Sequence, residues 1–209
     1  MMNINYVDMF SCPVLVADLD LDINSLKKFC YEKEQENKQG VALSNIGGWQ
    51  SDNVKNETNL EFVKLKNKIE EAANSYHRDI GFKKDLREVI GNIWININKK
   101  DHFNELHQHH FSILSGAYYL NSCDIPIVFR HPFKDINTYF WDSAIIEEYN
   151  QASSGMWTVT PSPNTLLIFP AWIEHKVLPN AKNGDRISIS FNTTLVNQEG
   201  NQYRFPLDR

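Results

Sequence analysis

Two stretches of this chain alternate strictly between apolar and polar side chains, and nothing else in it limits the possible folds so firmly. In residues 93–98, Ile93, Ile95 and Ile97 take the odd places and Trp94, Asn96 and Asn98 the even ones. In residues 186–192, Ile187, Ile189 and Phe191 alternate with Arg186, Ser188, Ser190 and Asn192. Successive side chains of a β-strand point to opposite faces, so each stretch reads as a strand with one dry face and one polar face. The dry faces ask for packed helices. The polar face of 93–98 looks either into water or into a cavity. For the row Arg186, Ser188, Ser190 and Asn192 a polar pocket is the better match, since a surface strand would more often mix Lys, Glu and Thr.

The helices that such faces need lie upstream. Residues 10–20 suggest an opening strand, confined by Pro13 to an edge or a strand start. A helix is expected from about Asn24 to Glu36, with Leu26, Phe29 and Cys30 as its stripe. A second follows Thr58 and Glu61, which satisfy the Thr-x-x-Glu capping box. There Phe62, Leu65, Ile69, Ala72, Ala73, Tyr76 and Ile80 recur at helical spacing, and Gly81 supplies a stop. Residues 41–53 between them read as a loop, in which Trp49 is either an anchor on the core or a lid over a pocket. Downstream, a short strand ends at Pro132. An irregular insertion over 134–156 carries Tyr139, Phe140 and Trp141. Four short strands punctuated by Pro and Gly then follow. Two helices followed by many strands predict an α+β, mainly β protein with a sandwich or barrel core.

The totals narrow the class further. A chain of 209 residues, 42% hydrophobic and 22% charged, is expected to form one soluble domain over 1–209, helical over about 20–88 and β over about 89–200. The formal net charge of −5 argues against nucleic-acid binding, which favours a basic surface. No apolar run approaches the roughly 20 residues that span a bilayer. The N-terminus shows no basic segment ahead of an apolar one, so a secretory signal is not expected. Three scattered cysteines, Cys12, Cys30 and Cys123, fit a reduced, cytoplasmic protein.

Chemistry concentrates in Asp101–Leu120, which holds four of the seven histidines. If the strand that follows already includes them, His107 and His109 share a face with Cα atoms about 6.6–7 Å apart, a span over which two imidazoles converge on one metal ion. Glu105 has the same parity. His102 and His110 sit at the strand end or on the other face, and are expected to be structural or surface residues. Some sixty residues on, His175 follows a buried strand and a Pro turn, with Arg186 eleven positions further.

That order and spacing resembles the iron(II)/2-oxoglutarate-dependent oxygenases. More narrowly it resembles the 2-oxoglutarate–iron oxygenases known largely from marine bacteria and their phages. The motifs are GGWQSD, NIWININ, HQHHFSILSGAYYL, LLIFPAWIEHKVLP and RISISFN. The resemblance implies a double-stranded β-helix, or jelly roll, flanked by helices. It implies Fe(II) on His107, His109 and His175, and Arg186 gripping the distal carboxylate of 2-oxoglutarate, with Ser188, Tyr119 and Asn96 beside it. It implies use of O2 and hydroxylation of a small molecule or a side chain, with release of succinate and CO2. Trp94, Asn96 and the 134–156 insertion are then candidates for the substrate wall.

The usual third ligand of the superfamily is a carboxylate two residues after the first histidine. His109 stands there, and the alternative is a third ligand from Glu105 or a distant acid. Competing expectations are a three-His cupin-type dioxygenase that needs no 2-oxoglutarate, a non-catalytic jelly-roll binding protein, and, more remotely, a three-His zinc hydrolase. No membrane partner is expected, and a homodimer is allowed.

Overall fold

The two alternating stretches pair with each other. In the computed structural model, which describes residues 2, 4–7 and 9–203, they are the longest strands, β4 (Leu86–Asn98) and β11 (Arg186–Asn197). They run antiparallel from Arg186 opposite Asn98 to Asn197 opposite Leu86, with one register shift at Asn192/Thr193. Gly91 is left unpaired at that bulge. Ile90 and Ile93, of opposite parity, therefore both reach the core.

Four more strands complete this sheet: β1 (Leu15–Asp18), β3 (Trp49–Gln50), β6 (Leu114–Asn121) and β9 (Thr165–Pro170). The order is β1-β9-β6-β11-β4-β3. The strand following Pro13 is an edge strand, as expected. A second antiparallel sheet holds β2 (Asn45–Ile46), β5 (Phe103–His107), β7 (Ile127–Arg130), β8 (Met156–Val159) and β10 (His175–Val177), in the order β2-β5-β10-β7-β8.

The dry face of the first sheet is covered by α1 (Ile23–Glu36) and α2 (Leu60–Asp79). Ile93, Ile95, Ile97, Ile187, Ile189 and Phe191 form one core with Phe29, Phe62, Leu65 and Ile69 of the helices. Fully burying an aliphatic or phenyl side chain of this size contributes about 1.5–3 kcal/mol relative to exposure. The opposite face meets the second sheet through a smaller cluster that includes Tyr119, Phe129, Leu167, Phe169 and Ile173. Two antiparallel sheets packed face to face, with helices outside one of them, give the expected α+β, mainly β jelly roll. Among the described residues no helix is long and apolar enough to cross a membrane.

Four local expectations need correction. The cap of α2 is Asn59, whose Oδ1 accepts from the Glu61 and Phe62 amides, and not Thr58. Glu61 instead accepts from the Asp22 amide at 3.0 Å, tying the start of α1 to α2. Residues 41–53 contain β2 and β3, and Trp49 is an anchor: it is 9% exposed and its indole N–H donates to the Asn37 carbonyl at 2.7 Å. The 134–156 insertion carries a short helix, α3 (Lys134–Phe140), and a single 3-10 turn, with no buried residue in either.

The fourth correction concerns the histidine strand, which is broken. β5 ends at His107 in one sheet and β6 begins at Leu114 in the other, so residues 108–113 form a connection between sheets. Phe111 turns there with φ of 61°.

Candidate active site

His107 and His175 come together because β5 and β10 are antiparallel neighbours and these two residues are partners in the register. Side chains of directly opposed residues share a face, and the two imidazole centroids lie 4.4 Å apart. His109 reaches the same point from the connection after β5, where its amide donates to the Ala171 carbonyl at 2.9 Å. Its ring lies 5.1 Å from His107 and 5.2 Å from His175. One potential ligand nitrogen from each of the three falls within 4.8 Å of the others. The three histidines thus come together across β5, the connection after it and β10, and not along one shared strand face.

Hydrogen bonds orient two of these rings. His107 Nδ1 lies 2.7 Å from the Glu105 carbonyl, and His175 Nδ1 lies 3.0 Å from the Ile173 carbonyl. A carbonyl can only accept, so both Nδ1 atoms carry the proton and both Nε2 atoms are left as the basic nitrogens that a metal would take; the one hydrogen-bond neighbour of either among the described residues is the Ser44 hydroxyl, 3.5 Å from His107 Nε2. Burial holds all three imidazoles neutral. It lowers the pKa of His107, brings His109 to about 4 with help from the neighbouring His107 and His110, and brings His175 to about 3. Phe169 and Phe129 wedge the His175 ring, with centroids at 4.8 and 6.1 Å. Three neutral imidazoles, two of them held by backbone carbonyls, suit a first-row divalent ion such as Fe(II). Glu105, the alternative third ligand, is exposed and stands outside this cluster. His110 is exposed as well. His102 accepts from the Lys99 amide at 3.1 Å and takes no part in the site.

The triad opens into a cavity of about 490 Å³ between the two sheets. Arg186, Ser188, Ser190 and Asn192 all line it, as do Trp94 and Asn96 from β4. Asn98 departs from this pattern: its Nδ2 donates to Asn104 Oδ1 at 3.0 Å, a structural bond at the edge of the cavity. No residue of 134–156 lines the cavity, so the insertion is not part of its wall.

Arg186 is the most telling group. It is 2% exposed, and no described carboxylate lies within 4 Å of it. Its Nε has no hydrogen-bond partner, and the Tyr119 hydroxyl has none among the described residues besides Arg186 itself. The guanidinium carbon sits 5.2 Å from the Tyr119 ring centroid, where the π face offers partial compensation. Burial works against the guanidinium charge and pushes the Tyr119 phenol up, with Arg186 opposing the latter. A buried cation lacking a counter-ion is costly, and a ligand carboxylate meets that need with matched fork geometry. Ser188, 1% exposed, faces the same space with its hydroxyl uncommitted, while Asn96 donates to Ser190 Oγ at 3.0 Å and keeps its carbonyl oxygen free.

Sequence reasoning missed Gln50 and Asn92, which also line the cavity. The signal for Asn92 was present: it continues the even-numbered face of Trp94 and Asn96. Gln50 enters because β3 pairs with β4 and sets it opposite Asn96, a contact that no local pattern announces.

Residues 92–192 match the family described as "Putative 2OG-Fe(II) oxygenase". No curated protein matches the chain in sequence. Among solved structures the fold is similar to a prolyl-4-hydroxylase of Pseudomonas putida, with 10% identity and a TM-score of 0.58, covering 88% of this chain and 92% of that one. It is similar to HygX of Streptomyces hygroscopicus, solved with nickel and 2-oxoglutarate bound, with 12% identity and a TM-score of 0.58 over 92% of this chain and 86% of the other. The α-ketoglutarate-dependent carbocyclase SnoK from nogalamycin biosynthesis shares 11% identity and a TM-score of 0.62, with 94% and 90% covered. At such identities these likenesses describe the fold.

Proposed function

We propose that the chain is a 2OG-Fe(II) oxygenase, the family that residues 92–192 match, and that it hydroxylates a C–H bond of its substrate, using His107, His109 and His175 for iron and Arg186 for 2-oxoglutarate. The observation that carries this reading is the pairing of three neutral imidazoles with a buried guanidinium that has no carboxylate partner among the described residues, in one cavity. When bound, Fe(II) and 2-oxoglutarate together supply the activation of O2, with succinate and CO2 released as the substrate is oxidised.

The chain's own residues bind, orient and exclude water. His107 and His175 present Nε2 because their Nδ1 protons are committed to backbone carbonyls. His109 adds a third neutral donor, so the ligand set leaves the ion's double charge uncompensated. A dianionic co-substrate is its natural complement, with one carboxylate at the metal end and the other at Arg186. The guanidinium fork receives that distal carboxylate, and the O–H groups of Ser188 and Tyr119 can donate to the same oxygens. Phe129 and Phe169 keep the buried side of His175 dry, which strengthens each polar contact there.

Anaerobic Fe(II) protein titrated with 2-oxoglutarate is expected to develop a weak metal-to-ligand charge-transfer band. His107→Ala should lose it, and Arg186→Ala should need at least ~30-fold more co-substrate. Product one oxygen atom heavier than the substrate, formed in step with succinate, is the outcome expected of a hydroxylase. A single observation favours a second reading: His109 stands where the superfamily places a carboxylate. A three-His dioxygenase independent of 2-oxoglutarate would bind iron, show no band, and keep its oxygen uptake in Arg186→Ala.

A further inference from the structure

The cavity extends well past the residues assigned to the co-substrate. Its volume of about 490 Å³ lies in the range of roughly 300–1,000 Å³ typical of small-molecule sites. Along β11 and β4, Ser188 faces Asn96, Ser190 faces Trp94, and Asn192 faces Asn92. With about 3.3 Å per residue, the Asn92–Asn192 row lies about 20 Å along the strand from Arg186. A five-carbon diacid anchored on Arg186 ends far short of it.

The side chains along that remaining stretch are uncharged and partly uncommitted. Gln50 is 6% exposed, yet its amide has no hydrogen-bond partner among the described residues, and the Asn92 amide and Trp94 indole N–H have none either. Asn192 Oδ1 accepts from Ser115 Oγ at 2.6 Å, which leaves its amide N–H groups for the cavity. Arg186 and Glu105 are the only formal charges among the described lining residues, and Glu105 is exposed. Trp94 lies 5.7 Å from His109, so a ring resting on the indole sits beside the triad.

Resting on the oxygenase reading, we propose that this wall selects an uncharged, polyhydroxylated ring of the sugar type, with Trp94 as its stacking platform and Gln50, Asn92 and Asn192 as the amides that read its hydroxyls. A hydroxyl both donates and accepts, and a carboxamide offers both complements. The C–H face of such a ring covers the indole while its hydroxyls reach the rows on either side. A charged ring would surrender hydration in a stretch with no counter-ion. An anion would be drawn to Arg186, where it competes with the co-substrate.

The test uses anaerobic Ni(II)-loaded protein with saturating 2-oxoglutarate, titrated by calorimetry and tryptophan fluorescence. The probes are methyl hexopyranosides of gluco, galacto and manno configuration, the corresponding uronic acids and amino sugars, and a neutral capped dipeptide. At least one neutral ring is expected to bind about tenfold or more tightly than its charged counterparts and to change the fluorescence. Gln50→Ala and Asn192→Ala should each weaken it about tenfold, while 2-oxoglutarate affinity and the circular dichroism spectrum stay unchanged. Asn92→Asp should shift preference toward the amino sugar. The proposal is overturned if a charged ring or the dipeptide binds as well as the neutral rings, or if no ring binds while 2-oxoglutarate does. If 2-oxoglutarate itself fails to bind, the oxygenase reading falls, and the same titration on metal-free protein still decides the wall.

Discussion

Burial resists protonation of two histidines at the site and leaves an arginine there without a carboxylate partner, and both facts have measurable consequences. His109 and His175 have folded pKa values of about 4 and about 3, against an ordinary 6.5, because burial penalises the imidazolium. The unfolded chain therefore binds protons first as pH falls. The stability these groups confer is complete above pH 6.5 and drains away toward pH 3, with a slope approaching about 1.4 kcal/mol per pH unit for each titrating group. In metal-free protein, urea unfolding free energies at pH 7.5, 6 and 5 should fall more steeply for wild type than for His175→Gln. Parallel slopes would mean that the ring is not held neutral. Arg186 makes the opposite trade. Arg186→Met removes a buried cation that has no carboxylate partner, so the ligand-free protein should be as stable as wild type or more so. The stabilisation by 2-oxoglutarate should disappear in the same variant. A ligand-free protein that unfolds easily would assign Arg186 a structural role instead.

At the scale of elements, the caps and close contacts decide more than propensity does. Asn59 satisfies two amides at the start of α2, so Asn59→Ala should cost about 1 kcal/mol in thermal or urea unfolding, and Thr58→Ala close to nothing. The reverse order would restore the Thr-x-x-Glu box. On β6, a Cβ at Gly116 would meet the Leu167 carbonyl and the Phe191 ring. Neither can swing away, since one is backbone and the other is core, so Gly116→Ala should destabilise by roughly 1–3 kcal/mol. These positions also mark what the sequence could and could not reveal. Periodicity located β4, β11, α1, α2 and the polar row Arg186, Ser188, Ser190 and Asn192, because the side-chain period is a local property. It failed at the histidines. The chain leaves one sheet at His107 and joins the other at Leu114, and convergence depends on the pairing of His107 with a residue 68 positions away. Pairing register is non-local, so only the family resemblance could bring His175 into the reading. Gln50 was hidden for the same reason.

The whole molecule is a layered body in which the triad joins two neighbouring strands of the second sheet to the connection that crosses to the first. His107 belongs to β5, His109 to the connection between sheets, and His175 to β10. The two helices pack on the far face of the other sheet. A metal on the triad thus ties the second sheet to the sheet crossing and leaves the helical layer alone. Any ligand bound only by the folded state stabilises by RT ln(1 + [L]/Kd), about 2.7 kcal/mol at a hundredfold excess over Kd. For a domain of this size each kcal/mol raises Tm by about 2–4 °C, so Ni(II) or anaerobic Fe(II) should add about 5–10 °C. 2-Oxoglutarate should add a further increment only when metal is present, and His109→Ala should shrink both. Amide exchange locates the effect. Sub-global opening of β5, residues 108–113 and β10 should slow on metal binding, while exchange in α1 and α2 through local fraying should not. Slowing confined to the helices, or metal stabilisation unaffected by His109→Ala, would place the ion elsewhere and take the three-histidine centre with it.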